Sequence, residues 1–230
     1  FVWPIDSVIC RYNYIMEHSK INIRKDYVKQ SLNREDLADS PEDLLKRWLS
    51  EAAEVDAFDY NAMYLSTVNK EGRPSGRIVL LRGLEESGLR FYTNYTSSKG
   101  RDIAVNPHVA VAFFWKELER QVRIEGTAYR LTPEESDAYY ASRPRSSQIG
   151  AWASQQSASN NQDDLEQRFE AMSEQFKDSE NVPRPEHWGG FRVVISSCEF
   201  WQGRPNRLHQ RWRYDRSEAG AQWSVTPLDP

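Results

Sequence analysis

The spacing of apolar residues predicts a helix near the beginning of the chain. Ser40 supplies a capping side chain, Pro41 stands at the first helical position, and acids occupy the first turn. Apolar side chains then recur at helical intervals, namely Leu44, Leu45, Trp48, Leu49, Ala52 and Ala53. We therefore expect an amphipathic helix that begins at about Pro41.

Beyond this helix the pattern becomes that of short strands. Turn signals at Asn69–Gly72 and Glu85–Gly88 separate the first three strands. The predicted strands are Ala62 to Val68, Arg77 to Leu81, Leu89 to Thr93, Val109 to Phe114, Gln121 to Arg130, Phe191 to Phe200, Arg211 to Asp215 and one near Trp223 to Thr226.

Shorter helical patterns lie between and beside the strands. They cover Ser97 to Asn106, Pro133 to Ala141, and a segment that follows the polar stretch Ser154–Asp163 and ends near Lys177. Strands and helices do not alternate regularly, which disfavours a parallel α/β sheet. The pattern predicts a mainly β protein with flanking helices (α+β), built on a β-barrel.

The first residues of the chain show no clear period. Residue 1 is Phe, and Met16 precedes a polar, basic stretch. We interpret residues 1–15 as an extension upstream of a natural start at Met16, with a transit peptide as the weaker alternative. The predicted organisation is an N-terminal extension over residues 1–20 and a single domain over residues 21–230.

Composition narrows the function classes. The 230 residues carry a net charge of −4, which argues against a general nucleic-acid binder. No stretch approaches the roughly 20 apolar residues of a membrane helix. The two cysteines favour a reducing, cytoplasmic setting. Because neither CxxC nor HExxH occurs, no metal site is indicated.

The chain has no glycine-rich phosphate loop, so side chains would have to hold a phosphate. The segment Arg77–Arg82 is interpreted as a buried apolar strand with a guanidinium at each end. The two arginines are expected on opposite faces unless a bulge intervenes. Two solvated strand ends are the alternative interpretation.

Two helix starts are further candidates for phosphate binding. Thr93 and Lys99 flank the first, where free N–H groups and a cation favour an anion. Tyr139, Arg143 and Ser147 are spaced by four around a junction between two helices. The alternatives are an ordinary N-cap and a surface corner, respectively.

A fourth candidate is the loop between the last long strands, Trp201–Arg211. It carries one Trp, His209 and, after Gln202, three arginines. These side chains are suited to stacking on rings and to hydrogen bonding with a hydroxyl or amine. The alternative is a basic hairpin loop. Together the four candidates suggest two phosphorylated, ring-bearing ligands.

Several segments resemble the signature segments of the pyridoxine/pyridoxamine 5'-phosphate oxidases. They are Arg77–Leu81, Phe91–Asn94, Glu119–Val122, Ser142–Trp152, Trp188–Arg192 and Phe200–His209, within a match running from about Ile21 to Pro230. The resemblance implies an FMN-binding split β-barrel. It also implies a homodimer with two FMN molecules at the subunit interface.

The resemblance also implies a role for individual residues. FMN would be held by Arg77, Ile78, Val79, Leu80, Leu81, Arg82, Tyr92, Thr93, Lys99, Gln121, Gln156, Ser157, Trp201 and Arg211. The substrate phosphate would be held by Arg82, Tyr139, Arg143 and Ser147, and the substrate ring by the catalytic residues Arg207 and His209 with Leu208 between them. Arg24, Lys25, Asp26 and Tyr27 would form a mobile lid.

The implied reaction oxidises pyridoxine or pyridoxamine 5'-phosphate to pyridoxal 5'-phosphate with FMN and O2, releasing hydrogen peroxide. Two residues depart from the family pattern: Arg82 stands where a Lys is usual, and Ser98 where an Arg is usual. The rival interpretations are another split-barrel enzyme of the flavin reductase kind, and a non-catalytic module that binds FMN or pyridoxal phosphate.

Overall fold

The structure is a computed structural model that describes residues 26–157, 162–218 and 220–230. The predicted N-terminal extension, residues 1–20, lies outside the described residues, as do Arg24 and Lys25 of the predicted lid. In the described part of the chain, no helix combines the length and the apolar character needed to cross a bilayer.

Nine strands and five α-helices make up the described chain. The helices are α1 (Pro41–Val55), α2 (Ser98–Val105), α3 (Pro133–Ala141), α4 (Arg145–Ala153) and α5 (Gln162–Gln175). The strands are β1 (Ala62–Val68), β2 (Pro74–Leu80), β3 (Gly83–Glu85), β4 (Gly88–Asn94), β5 (His108–Trp115), β6 (Arg120–Arg130), β7 (Trp188–Gln202), β8 (Gln210–Asp215) and β9 (Ser224–Leu228). Single 3-10 turns lie at Arg34–Asp36, Lys116–Leu118 and Pro205–Arg207.

The predicted helix starts are confirmed by their capping hydrogen bonds. The Ser40 side chain accepts from the backbone N–H of Asp43 at the start of α1. Thr132 and Glu135 form a reciprocal capping box at the start of α3. β3 was not predicted, because its three residues show too little of the strand period to be recognised. α4 was predicted without bounds, as the second helix of the Tyr139–Ser147 junction.

All strand pairs are antiparallel, and the sheet divides at β7. Its order is β2-β1-β5-β6-β7-β4-β3. The first part of β7 pairs with β4, while its last part, Ser197–Gln202, pairs with β8, which in turn pairs with β9. A register shift at Glu125/Gly126 lets β6 follow β7 through this division. The edge strand β2 also approaches β4, so the sheet curves into a half-barrel.

The core lies on the concave side of the sheet and is closed by α1. Trp48 of α1 is almost fully buried and packs edge-on against Phe200 of β7, with ring centroids 5.1 Å apart. A smaller cluster, which includes Tyr140, Ile149 and Trp188, holds the α3–α4 corner against the start of β7. Burying a large side chain of this kind stabilises a fold by about 1.5–3 kcal/mol.

The prediction that the apolar run of β2 is buried was wrong for a single chain. Ile78 is 62% exposed and Leu80 is 38% exposed, whereas Leu81 turns into the core. The reason is that Ile78 and Leu80 point to the side of the sheet opposite the core, where the neighbouring Tyr64 of β1 is also 47% exposed. One face of this strand therefore remains available for another molecule.

Candidate active site

A cavity of about 1120 Å³ opens between β2, the start of α2 and the α3–α4 corner. It gathers most of the residues that the family resemblance assigned to FMN and to the substrate phosphate. They are Arg77, Ile78, Val79, Leu80, Arg82, Tyr92, Thr93, Lys99, Tyr139, Arg143, Ser147, Gln156 and Ser157. Residues that are far apart in the chain thus line one cavity. The individual motifs did not show that these residues would be neighbours.

Lys99 forms a cationic end of this cavity at the N-terminus of α2. Its side-chain nitrogen lies 3.2 Å from Thr93 Oγ1, 3.4 Å from Ser97 Oγ and 3.2 Å from Gln156 Oε1. These partners are neutral, and burial lowers the pKa of Lys99 to about 8, with nearby Arg77 adding to the effect. A buried cation at a helix N-terminus is suited to hold a phosphate.

Arg143 forms a second cationic end, between α3 and α4. Its guanidinium lies over the Trp188 ring, 4.5 Å from the centroid. Its Nη1 is buried, and no described residue accepts a hydrogen bond from it. Since such a donor is costly to bury without a partner, an anionic ligand fits this position. Ser147, in the first turn of α4, lines the same cavity.

Three aromatic rings lie in parallel beside Arg143. Tyr92 stacks on Tyr139 with a centroid distance of 3.7 Å and an interplanar angle of 13°, and Trp188 continues the stack 5.6 Å from Tyr92. Trp188 also lines the cavity, together with Ser98, Ser142 and Pro144. None of these four residues was predicted to have a role in the site. The Trp188–Arg192 segment was a visible signal, but its position beside the cavity depends on the pairing of β7 with β4.

Arg77 and Arg82 line the same cavity, contrary to the expectation that they point to opposite faces. β2 ends at Leu80, and the chain turns so that the Arg82 backbone N–H donates to Arg90 O of β4. The strand period therefore does not extend to Arg82. The Arg77 guanidinium is tied to Thr67 Oγ1 at 2.7 Å and lies 3.9 Å from an Asp102 carboxylate oxygen.

Of the other predicted cofactor residues, Leu81 is buried in the core and does not line the cavity, whereas three lie in a row on three adjacent strands. Gln121 of β6 faces Trp201 of β7, which faces Arg211 of β8. Directly opposite residues of antiparallel strands share a face, here the one that points away from the core. We define the outer face as this row together with Tyr64, Ile78, Leu80, Phe114, Arg123 and Glu199. Arg211 Nε is paired with Glu199 Oε1 at 2.8 Å.

Tyr27 packs against the loop that follows β7. Its ring is edge-on to Trp201, with centroids 5.6 Å apart, and lies 5.8 Å from the ring of His209. In this loop Arg207 has a left-handed backbone with φ 62°, and Leu208 is 69% exposed. The structure thus brings Tyr27, Trp201 and His209 together.

The proton of the His209 ring can be assigned from its hydrogen bond. Nδ1 lies 3.2 Å from the backbone N–H of Arg204 and therefore accepts that bond. Burial lowers the pKa of His209, and the neighbouring Arg207 charge lowers it further. The neutral ring then carries its proton on Nε2, which can donate to a ligand.

The two groups of predicted residues are separated within one chain. None of Gln121, Trp201, Arg207, His209 and Arg211 is among the described residues that line the cavity. Trp201 lies near the end of β7, thirteen residues beyond Trp188, which begins this strand and lines the cavity. Within one chain the described residues of the two groups therefore line different surfaces.

The half-barrel sheet, its cavity beside the edge strand and its outer face define a protein of the split-barrel class. Two family descriptions match the chain: pyridoxamine 5'-phosphate oxidase over residues 52–176, and the pyridoxine 5'-phosphate oxidase C-terminal dimerisation region over residues 188–230. The chain belongs to the pyridoxamine 5'-phosphate oxidase family.

Curated relatives agree over nearly their whole length. Two are named pyridoxine/pyridoxamine 5'-phosphate oxidase, from Salinibacter ruber at 47% identity and from Cupriavidus pinatubonensis at 50%. Each match covers 91% of this chain and 98% of the relative. Family membership therefore supports an oxidoreductase that uses a flavin.

Solved structures confirm the predicted fold. PhzG from Burkholderia lata, in complex with tetrahydrophenazine-1-carboxylic acid, has a TM-score of 0.80 at 30% identity and covers 87% of this chain. An FMN-binding protein from Nostoc punctiforme, related to pyridoxamine 5'-phosphate oxidase, has a TM-score of 0.66 at 17% identity over 83% of the chain. The second likeness concerns the fold alone.

Proposed function

We propose that this protein is an FMN-dependent oxidase that converts pyridoxine 5'-phosphate and pyridoxamine 5'-phosphate to pyridoxal 5'-phosphate. The observation that carries the proposal is the presence of two cationic ends in one cavity, at Lys99 and at Arg143. Two phosphorylated ligands side by side would use both ends. The names of the relatives at 47% and 50% identity support the same reaction.

The donor set at Lys99 fits the phosphate of FMN. The charge of Lys99 is surrounded by the neutral oxygens of Thr93, Ser97 and Gln156, and Lys99 itself lies in the first turn of α2, the end of a helix that favours an anion. When bound, FMN would supply the redox chemistry, taking a hydride from the 4' carbon of the substrate and passing the electrons to O2. Arg77 and Arg82 would border the cofactor.

The Arg143 end would hold the substrate phosphate. The guanidinium can donate two parallel hydrogen bonds to phosphate oxygens, and Tyr139 and Ser147 add hydroxyl donors. Arg207 would press the substrate ring into place, and His209 would donate from Nε2 to a ring substituent. Fixing the 4' carbon in this way lowers the entropic part of the barrier.

Each complete site would be shared by two copies of the chain. One copy would contribute the cavity with Lys99 and Arg143, and the second would contribute Trp201, Arg207 and His209. The match of residues 188–230 to a dimerisation region supports this arrangement. So does the outer face, on which Ile78 and Phe114 leave 62% and 59% of their surface uncovered in one chain.

The proposal is tested by adding pyridoxamine 5'-phosphate to the purified, flavin-loaded protein and measuring hydrogen peroxide. We expect one peroxide per pyridoxal phosphate formed, and heat-released cofactor that migrates as FMN on chromatography. Flavin without peroxide would favour a non-catalytic module, peroxide only with a different electron donor would favour another split-barrel enzyme, and FAD would exclude the cofactor assignment.

The same assay should include a tetrahydrophenazine carboxylate, because PhzG shares the fold at 30% identity. We expect the phosphorylated substrates to be preferred. The reason is Arg143, whose buried Nη1 is left without an acceptor unless a ligand brings an anionic group of the right reach.

A further inference from the structure

Glu119 joins two segments that are far apart in the sequence. It follows the 3-10 turn Lys116–Leu118 and has a left-handed backbone, φ 55° and ψ 40°, which disfavours residues other than glycine. Its side chain is nevertheless a carboxylate, and it is fully buried. Such a charge is retained in a core only where its hydrogen bonds compensate for the loss of water.

The carboxylate of Glu119 binds the backbone of the N-terminal segment. Oε2 accepts from the N–H of Val28 at 2.9 Å and from the N–H of Lys29 at 3.1 Å. Hydrogen bonds to an ionised acceptor are roughly twice as strong as neutral ones. The residues that directly follow Tyr27 are therefore fixed at a defined place.

The main chain of Glu119 binds the second of the two segments, which is the loop after β7. Its carbonyl oxygen accepts from the N–H of Gly203 at 2.8 Å and from Gln202 Nε2 at 3.2 Å. A single residue thus holds the segment behind Tyr27 with its side chain and the loop that leads to Arg207 with its backbone.

The two segments that Glu119 joins are in direct contact. A Cβ on Gly203 would lie 2.6 Å from Cγ of Tyr27, so the absence of a side chain at residue 203 lets the Tyr27 ring rest on the loop. A second bond runs between the same segments, from Arg204 Nη1 to Gln30 O at 2.8 Å. The backbone N–H of Arg204 also donates to His209 Nδ1.

We propose that Glu119 is a positioning residue that sets Tyr27 against Trp201 and His209, so that the Tyr27 ring forms one wall of the substrate site. This inference rests on the proposed function for its kinetic consequence, but not for its structural one. Glu119 itself touches neither substrate nor cofactor in this scheme. It acts through Tyr27.

Two substitutions separate the carboxylate from the backbone conformation. Glu119→Gly removes the acceptor while favouring the left-handed backbone, and Glu119→Gln keeps an acceptor of the same size without the charge. We expect Glu119→Gly to raise KM for pyridoxamine 5'-phosphate at least tenfold with kcat changed less than threefold, and Glu119→Gln to show an intermediate KM. Glu117→Gln is the control, since Glu117 also contacts Lys29 but is exposed, and its KM should not change.

Two further measurements exclude a merely structural role. Amide hydrogen exchange of the peptide containing residues 27–29 should accelerate at least tenfold in Glu119→Gly, while exchange in β6 and β7 stays as in the parent. In a Tyr27→Ala background, Glu119→Gly should raise KM no further. Unchanged exchange, or KM effects that multiply, would overturn the proposal. Absence of peroxide from the unaltered protein would overturn the proposed function instead. The exchange result would then still test whether Glu119 positions Tyr27.

Discussion

Arg207 occupies a backbone conformation that its residue type disfavours. Asn206 and Arg207 have φ of 57° and 62°, two consecutive left-handed residues in the loop between β7 and β8. Each costs on the order of 1 kcal/mol relative to glycine, and Asn tolerates the region better than Arg. The strain is retained at the residue we propose to hold the substrate ring.

Substitutions of Arg207 should therefore affect the free energy of unfolding and kcat/KM differently. We expect Arg207→Ala to lower kcat/KM for pyridoxine 5'-phosphate by roughly 10²-fold, which corresponds to about 2.7 kcal/mol, because the 4' carbon is no longer held near the flavin. Arg207→Gly should lose as much activity, yet unfold with a free energy about 1 kcal/mol higher, since glycine accepts the left-handed backbone. Steady-state kinetics and denaturant unfolding check the two results.

The flavin content of both variants serves as the internal control. It should stay at the parent's level, because Arg207 is assigned to the substrate. Arg143→Ala should instead mainly raise KM, as its phosphate contact is alike in ground and transition states. Loss of flavin from Arg207→Ala, or an unchanged kcat/KM, would remove Arg207 from the substrate site.

We expect protonation of His209 to determine the acid side of the pH profile of kcat/KM. Burial and the Arg207 charge both lower its pKa, so the neutral ring, which donates from Nε2, persists below the ordinary value of about 6.5. Protonation would make Nδ1 a donor and remove its bond with the Arg204 N–H, which holds the ring in place, so we expect the acid limb of kcat/KM to have its midpoint below that value. In Arg207→Gln the midpoint should move upward, since one cause of the lowering is gone. A limb that lies above 6.5, or one that ignores Arg207, would contradict this role.

At the scale of the elements, α2 presents its only buried cation, Lys99, to the cavity. Its pKa of about 8 makes phosphate binding depend on pH. Below this value a charged Lys99 would bind the phosphate dianion, and above it the charge would be lost while the ligand's charge stays the same. Affinity for FMN should therefore fall as pH rises through 8, approaching tenfold per unit.

Fluorescence titration of FMN between pH 7 and 9.5 measures this slope. Lys99→Arg should flatten it, because a guanidinium stays charged throughout the range. The stability of the flavin-free protein should change in the opposite direction, rising above pH 8, since the folded state binds the Lys99 proton more weakly than the unfolded state. A Kd that is constant with pH in the parent would show that Lys99 does not meet the phosphate.

The helices and strands could largely be predicted from the sequence, whereas the contacts between them could not. β1 and α3 have the predicted bounds because a strand period or a capping box marks both. No local pattern shows that Gln121, Trp201 and Arg211 lie side by side, since that depends on strand register. The contact of Glu119 with Val28 spans 91 residues, and its signal in the sequence is an ordinary acid.

At the scale of the whole molecule, we expect a single chain to function only when its outer face is covered by a second copy. Phe114 is 59% exposed on it but does not line the cavity. We expect Phe114→Lys to yield a monomer in sedimentation that has also lost its flavin, because the added charge would meet the arginines of a second outer face. Obligate interfaces of this kind bury a large apolar area.

Val105→Lys is the matched control for this experiment. Val105 is 62% exposed, close to the value for Phe114, but it ends α2 and lies away from the outer face. It should remain dimeric and yellow. A Phe114→Lys monomer that keeps both flavin and activity would show that the site is complete in one chain.

The placement of the two residue groups on different surfaces of one chain has a genetic consequence. If each site draws Arg143 from one chain and Arg207 from the other, two defective alleles can rescue each other. Random pairing of Arg143→Ala and Arg207→Ala chains makes half of the dimers mixed, and each mixed dimer has one intact site beside one doubly defective site. At substrate concentrations far below KM, a cell carrying both alleles should then regain about a quarter of the normal activity, which neither allele alone reaches.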